Sequence, residues 1–186
     1  MNKGALALVV GPSGAGKDSL LDGARAALAG DERFVFARRE ITRPADAGGE
    51  AHTAIDRPTF EARQAAGAYA LSWDAHGLGY GIPGAVEGDL AAGRVVVANV
   101  SRGVLDAARA AYPRIAIISI TVSEAVLAAR LRARGRETEA DIARRLERAR
   151  AFAVTGGDVI DIRNDGALET AVAAFVAALR GLSAAQ

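Results

Sequence analysis

The sequence has no cysteine, one methionine and one tryptophan, and its only lysines are Lys3 and Lys17. Without cysteine there is no disulfide framework and no Cys-ligated metal. The two histidines, His52 and His76, are too far apart for paired metal ligation. No arrangement of His, Ser and Cys suited to nucleophilic catalysis is present. Charge of one sign is lacking too: the net charge is +1, so no global field favours nucleic acid or an anionic membrane. Long apolar runs are missing. ALALVV (Ala5 to Val10) is too short to span a bilayer and has no signal-peptide cleavage region, which predicts a cytoplasmic protein. No repeat or low-complexity linker interrupts the chain. Its 186 residues, 51% of them hydrophobic, suffice for one domain with a sizeable core.

What is present alternates between strands and helices. The continuous run Ala5 to Val10 suits a buried parallel strand. A glycine loop follows, then a helix with Leu20, Leu21, Ala24 and Leu28 at helical spacing. Phe34 to Ile41 predicts a second strand, Arg94 to Val100 a clear interior strand, Arg114 to Val122 another, and Val159 to Arg163 a last short one. Helices are expected from Gly103 to Ala111, after an N-cap at Ser123, across residues 136–153, and over residues 167–182. The alternation argues for a doubly wound α/β sheet. Residues 42 to about 90 break it. They are rich in Gly, Pro, Asp and Arg, and predict a loop-rich inserted subdomain.

The stretch GPSGAGKDSLL, Gly11 to Leu21, lies between an apolar strand and a helix, the context a phosphate-binding loop demands. Gly11, Gly16 and Lys17 fall in register. The candidate nucleotide-binding residues are Gly11, Pro12, Ser13, Gly14, Ala15, Gly16, Lys17, Asp18 and Ser19. Backbone N–H groups and the helix N-terminus would cradle phosphate, with the Lys17 ammonium reaching the β- and γ-phosphates. Asp18 stands where Ser or Thr usually binds Mg²⁺. A carboxylate can hold that metal directly or through water, or act only as a favourable charge in the first helical turn. Asn99 ends its strand where a phosphoryl-transfer enzyme often has an acidic residue for the metal; the carboxylate of Asp18 would compensate.

Two further groupings carry charge. Arg130 to Arg150 is arginine-rich, with Gly135 as a flexible point; Arg134, Arg136, Arg145 and Arg148 are candidates for a lid that neutralises a transferring phosphate. Glu–Arg pairs at i,i+4 spacing on a solvated face would explain the same composition. RREITRPADAGGE and LSWDAHGLGYGIP concentrate Arg38, Arg39, Arg43, His52, Ser72, Trp73, Asp74, His76 and Tyr80 in the loop-rich region, where an acceptor would bind.

In this order along the chain, GPSGAGK, ITRP, GGE, YG, RGRETEADIARRL and Asn164–Asp165 resemble the guanylate kinase branch of the nucleoside monophosphate kinases. The resemblance implies a P-loop kinase with a parallel five-stranded core sheet flanked by helices, an inserted acceptor-binding subdomain and an arginine-rich lid. The single domain would have its core at 1–40 and 92–186, the insertion at about 41–91 and the lid at about 133–141. Arg43 would hold the acceptor's phosphate, Arg134 and Arg145 would join Lys17 as catalytic cations, and Asn164 would lie near the adenine of ATP.

The departures are specific. Asp46 follows ITRP in place of a second arginine, Leu71 stands where a Glu reads guanine, Ile82 replaces Ser or Thr after YG, and Asn99 replaces an Asp. A site without its hydrogen-bonding groups binds a base poorly, which argues against GMP as acceptor. GPSGAGKDSLL, RREITRPADAGGEAH, ALSWDAHGLGYGIP and VVVANVSRGVL are similar to the ribose 1,5-bisphosphate phosphokinase family, which serves bacterial phosphonate breakdown. That resemblance implies transfer from ATP to a sugar bisphosphate. On their own chemistry, Arg38, Arg39, Arg43, His52, Ser72, Asp74, His76 and Tyr80 are the candidates to bind such an acceptor, Asp18 or Asp74 to hold Mg²⁺, and no nucleic-acid or membrane partner is expected. The alternative is a guanylate kinase with an altered base pocket. A scaffold module that has lost catalysis would also have lost the phosphate loop.

Overall fold

The computed structural model describes residues 4–46, 51–135 and 137–184. In chain order the elements are β1 (Ala5–Val10), α1 (Lys17–Ala27), β2 (Phe34–Phe36), β3 (Glu40–Ile41), β4 (Thr53–Ala54), α2 (Arg57–Ala65), β5 (Tyr69–Ala75) and β6 (Leu78–Pro83). They continue with α3 (Val86–Ala91), β7 (Val95–Asn99), a 3-10 turn at Arg102–Val104, α4 (Leu105–Ala111), β8 (Ile115–Thr121), α5 (Glu124–Arg134), α6 (Glu139–Arg150), β9 (Val159–Arg163) and α7 (Leu168–Ala184).

Five strands form an all-parallel sheet in the order β2-β7-β1-β8-β9. β1 is central and buried along its whole length, so both of its faces must be apolar. Strand parity divides them. Ala5, Ala7 and Val9 face α1 and α7, packing with Leu20, Ala24, Phe175 and Leu179. Leu6, Leu8 and Val10 face α3 and α4, packing with Val86, Leu90, Leu105 and Ala108. α1 and α7 approach closely at Gly23, where a Cβ would meet Val172 Cγ2 at 2.6 Å. No helix among the described residues is long and apolar enough to cross a membrane.

The predicted strand Phe34 to Ile41 is two strands. β2 pairs with β7, and Ala37 N–H still donates to Val97 O at 2.8 Å. The chain then leaves the core sheet. β3 joins a second sheet of order β4-β3-β6-β5, pairing antiparallel with β6 and parallel with β4. Arg38 and Arg39 occupy the crossover between the sheets. The insertion is therefore more regular than its loop-like composition predicts. α2 starts at Asp56, whose carboxylate caps Thr59 N–H at 2.7 Å, with Pro58 in the first turn. β5 and β6 form a hairpin closed by His76–Gly77, both at positive φ (52° and 76°), the pattern of a type I′ turn. Buried Glu40 ties the insertion together by accepting from Arg63 and from Tyr69 Oη, the latter at 2.7 Å. Burial, helped by that bond to Glu40, pushes the Tyr69 phenol up to about 12.

α5 and α6 form a helical hairpin around the stretch expected as a lid, about 133–141. α5 ends at Gly135 in the left-handed region, and α6 begins with a capping box between Thr138 and Asp141. Leu127, Leu131 and Ile142 form its own small core. Arg136 and the GGE motif at 48–50 lie outside the described residues.

Candidate active site

The phosphate loop joins the C-terminal end of β1 to α1, at the edge of the parallel sheet where α/β folds bind ligands. Gly16 caps α1 in the left-handed conformation, φ 90°. A Cβ there would meet Asn164 Nδ2 at 2.5 Å, so both backbone and space require glycine. Asn164 is 2% exposed, and its Nδ2 donates to Ala15 O at 2.8 Å. It braces the loop from beneath, and its Oδ1 is buried without a hydrogen-bond partner. Lys17 Nζ donates to the carbonyls of Gly11 and Pro12 at 2.7 and 3.1 Å, which keeps the ammonium at the loop.

A cleft of about 590 Å³ opens beside the loop. One wall is Gly11, Ser13, Lys17 and Asp18; the opposite wall is Arg39, Arg43, Trp73, His76 and Tyr80 from the insertion. Asn99 to Gly103, following β7, and Phe152, following α6, complete it. A smaller recess behind it is lined in part by Asp18, Arg39 and Asn99. The turn of the β5–β6 hairpin carries His76 to the loop, so His76, Ser13 and the α6 residues Arg145 and Arg148 line one surface.

Strand parity sorts the predicted acceptor residues. Trp73, Ala75 and Tyr80 face the cleft. Ser72 and Asp74, one position out of phase, face α2: Ser72 Oγ accepts from Gln64 at 3.1 Å and Asp74 from Arg57 at 2.5 Å. They do not reach the cleft, because successive side chains of a strand point to opposite sides. His52 does not line the cleft either. It is 4% exposed and stands behind Arg43. Its Nε2 is 3.1 Å from Arg43 O, and its Nδ1 3.3 Å from Arg43 Nη2. The partners fix the tautomer: Nε2–H donates to the carbonyl and Nδ1 accepts from the guanidinium. Arg38 donates to His52 O at 2.9 Å. Arg43 Nε is buried without a partner.

α6 reaches the loop directly. Arg145 Nη1 donates to Ser13 Oγ at 3.2 Å while its Nη2 pairs with Glu137 at 2.8 Å. Arg134 is exposed at the C-terminal end of α5. Sequence reasoning passed over Arg102, Phe152 and Glu137. Arg102 sits 5.0 Å over the Phe152 ring at the cleft edge, and its signal was available: SRG follows directly on a strand ending in the cleft. Glu137 had no such signal.

A glycine loop at the carboxyl edge of a parallel sheet, faced by an arginine-bearing insertion and touched by an arginine of α6, defines a P-loop kinase of the nucleoside monophosphate kinase type. A guanylate kinase from Anaplasma phagocytophilum shares this fold, with a TM-score of 0.66 over 97% of this chain and 86% of that one, at 20% identity. No sequence-family model matches the chain. Ribose 1,5-bisphosphate phosphokinase PhnN of Agrobacterium fabrum is 52% identical over 165 residues, 88% of this chain and 90% of that protein. The bifunctional ribose 1,5-bisphosphokinase-thymidine phosphorylase of Azorhizobium caulinodans is 49% identical over 179 residues, 96% of this chain but only 26% of that longer protein. The chain belongs to the ribose 1,5-bisphosphate phosphokinase family.

Proposed function

We propose that the chain transfers the γ-phosphoryl group of ATP to the 1-phosphate of ribose 1,5-bisphosphate, giving ADP and 5-phosphoribosyl 1-diphosphate. Family membership supports the reading, and one observation on the acceptor side carries it. The positions that would read a base are closed: Leu71 and Ile82 are 7% and 1% exposed and pack into the core with Leu6 and Val86. The cleft wall beside them offers arginines and hydroxyl-binding groups, which suit a phosphorylated sugar.

The reaction asks for charge neutralisation and alignment more than for acid–base chemistry. An acceptor phosphate oxygen, already ionised at neutral pH, bonds to the γ-phosphorus as the bond to the β–γ bridging oxygen breaks; the electron pair leaves with ADP. Lys17 and the loop N–H groups receive the donor phosphates. Arg145, oriented by Glu137, brings lid charge to Ser13, with Arg134 as a second lid cation. Arg43, held by His52, and Arg39 bind the acceptor. Asn164 acts through the loop it braces.

No group of three or more potential metal-ligating side chains occurs among the described residues. Mg²⁺ commonly uses one or two carboxylates and completes its shell with phosphate oxygens and water. Asp18, beside the loop and near Asn99, fits that donor set. Mg²⁺ bound there would reduce the charge on the phosphates. The reaction would take place in the cytoplasm, where the resemblance sets it in phosphonate breakdown.

The test is ADP release from ATP–Mg²⁺ with ribose 1,5-bisphosphate and GMP assayed side by side. Turnover with the sugar alone is expected. Turnover with GMP alone would overturn the reading and make the chain an unusual guanylate kinase.

A further inference from the structure

Arg102 opens the 3-10 turn that follows the cleft end of β7. Its base is rigid. Val100 N–H donates to Val9 O at 3.0 Å, and Val104 N–H to Ser101 O at 3.2 Å. The side chain crosses to the C-terminal end of α6. Its Nη1 donates at 2.8 Å to the carbonyl of Ala151, the C-cap residue of that helix. The guanidinium carbon also lies 5.0 Å from the ring centroid of Phe152, the next residue. A cation is favoured at a helix C-terminus, where the last carbonyls lack intrahelical partners and the helix dipole is negative. A planar guanidinium can donate from its edge while its face stacks on a ring.

α6 itself packs chiefly on α5. Ile142 is buried with Leu127 and Leu131, Leu146 and Ala149 pack against them, and Arg150 pairs with Glu124. Arg145 lies about 9 Å before Ala151 along the helix axis, and its Nη1 donates to Ser13 Oγ at 3.2 Å. The helix is thus tied to the phosphate loop through Arg145 and to the end of β7 through Arg102. Ser13, Arg102 and Phe152 all line the main cleft. We propose that Arg102 is a positioning residue for phosphoryl transfer: by pinning the C-terminal end of α6 to the sheet, it sets where Arg145 delivers its charge. This rests on the proposed reaction and deepens it. Without the pin, α6 can rock on α5, and Arg145 spends less time at Ser13. The donor phosphates are received by the loop and the acceptor by the insertion, so the loss falls on kcat rather than on either KM.

The experiment compares the wild type with Arg102→Ala, Arg145→Ala and the double variant, each checked for folding by circular dichroism. Initial rates are measured with ATP–Mg²⁺ and ribose 1,5-bisphosphate. Arg102→Ala should lower kcat by about 5- to 50-fold, the joint worth of a hydrogen bond and a cation–π contact, with both KM values within about twofold of wild type. In the Arg145→Ala background, removing Arg102 should change kcat by less than about twofold, because the group it positions is already gone. A raised acceptor KM with kcat unchanged, a loss that persists in full without Arg145, or no loss at all would overturn the inference while leaving the reaction in place.

If the wild type does not turn over ribose 1,5-bisphosphate, the proposed reaction fails and amide hydrogen exchange decides whether Arg102 holds α6. Arg102→Ala should speed exchange across residues 146–152 by about fivefold or more, with residues 127–133 of α5 unchanged. Exchange in α6 equal to that of the wild type, or rising equally in both helices, would overturn the pin.

Discussion

Replacing His52 by alanine tests whether a buried ring can govern acceptor binding that it does not itself contact. Two hydrogen bonds, at 3.3 and 3.1 Å, join the imidazole to Arg43 Nη2 and Arg43 O. Both vanish in His52→Ala. With the ring only 4% exposed, water replaces them incompletely, and each orphaned group costs about 1–3 kcal/mol. Arg43 Nε already lacks a partner, so the guanidinium has few ways to recover. The expected loss is about 2–4 kcal/mol, a fall of roughly 4–16 °C in Tm for a chain of this size. Arg43 then samples many orientations. The KM for ribose 1,5-bisphosphate should rise about 10- to 100-fold, the worth of one charge-assisted hydrogen bond. The KM for ATP should hold, because the phosphate loop stands on β1 and α1 across the cleft. His52→Gln is the control, since an amide can donate to the Arg43 carbonyl and accept from its guanidinium. The assays are thermal unfolding and initial rates with each substrate varied in turn. An unchanged Tm together with an unchanged acceptor KM in His52→Ala would refute the reasoning.

Three more predictions concern the loop, the lid and alkaline stability. Asn164→Asp removes the donor to Ala15 O and sets a carboxylate against that carbonyl; the KM for ATP should rise about tenfold or more, with a smaller effect on the acceptor, by initial-rate kinetics. Arg145→Ala should lower kcat by about 10²- to 10³-fold with a modest change in either KM, because its charge is needed most at the transition state; single-turnover rates measure this. The Tyr69 phenol is raised from 10.0 to about 12 by burial and by its bond to Glu40. A raised value means its contribution is complete below pH 10 and is lost as pH climbs towards 12. Wild type should therefore lose stability to urea between pH 9.5 and 11.5 more steeply than Tyr69→Phe, which has no proton to lose there; parallel slopes would count against this.

The parts of the site that depend on local chemistry were legible in the sequence. Gly16 and Lys17 follow an apolar strand and open a helix, and that context needs no tertiary information. The buried strands read well because a fully covered parallel strand is apolar throughout, as β1 and β7 are. What failed to read depends on pairing partners. Phe34 to Ile41 turns from apolar FVF to charged ARRE, but a charged strand end and a crossover to a second sheet look alike in the sequence, so the break after Phe36 was not read. The β5–β6 hairpin was within reach: His76–Gly77 is a turn dipeptide of the kind that permits positive φ twice. Recognising it would have fixed strand parity, separating Trp73 from Ser72 and Asp74. His52 and Asn164 are polar residues in motif positions, so ligand contact was the natural expectation; instead they hold Arg43 and Ala15. A sequence shows that a polar side chain is present, but the fold decides whether it faces the cleft or the residue beside it.

The central claim concerns which atom accepts the phosphoryl group, and phosphorus NMR of the reaction with ATP–Mg²⁺ and ribose 1,5-bisphosphate addresses it directly. The account predicts a new pair of mutually coupled diphosphate resonances from C1, with the 5-phosphate signal unchanged and ADP formed in equal amount. A new monoester signal, from transfer to a ring hydroxyl, or ATP left intact in the presence of the bisphosphate, would contradict it.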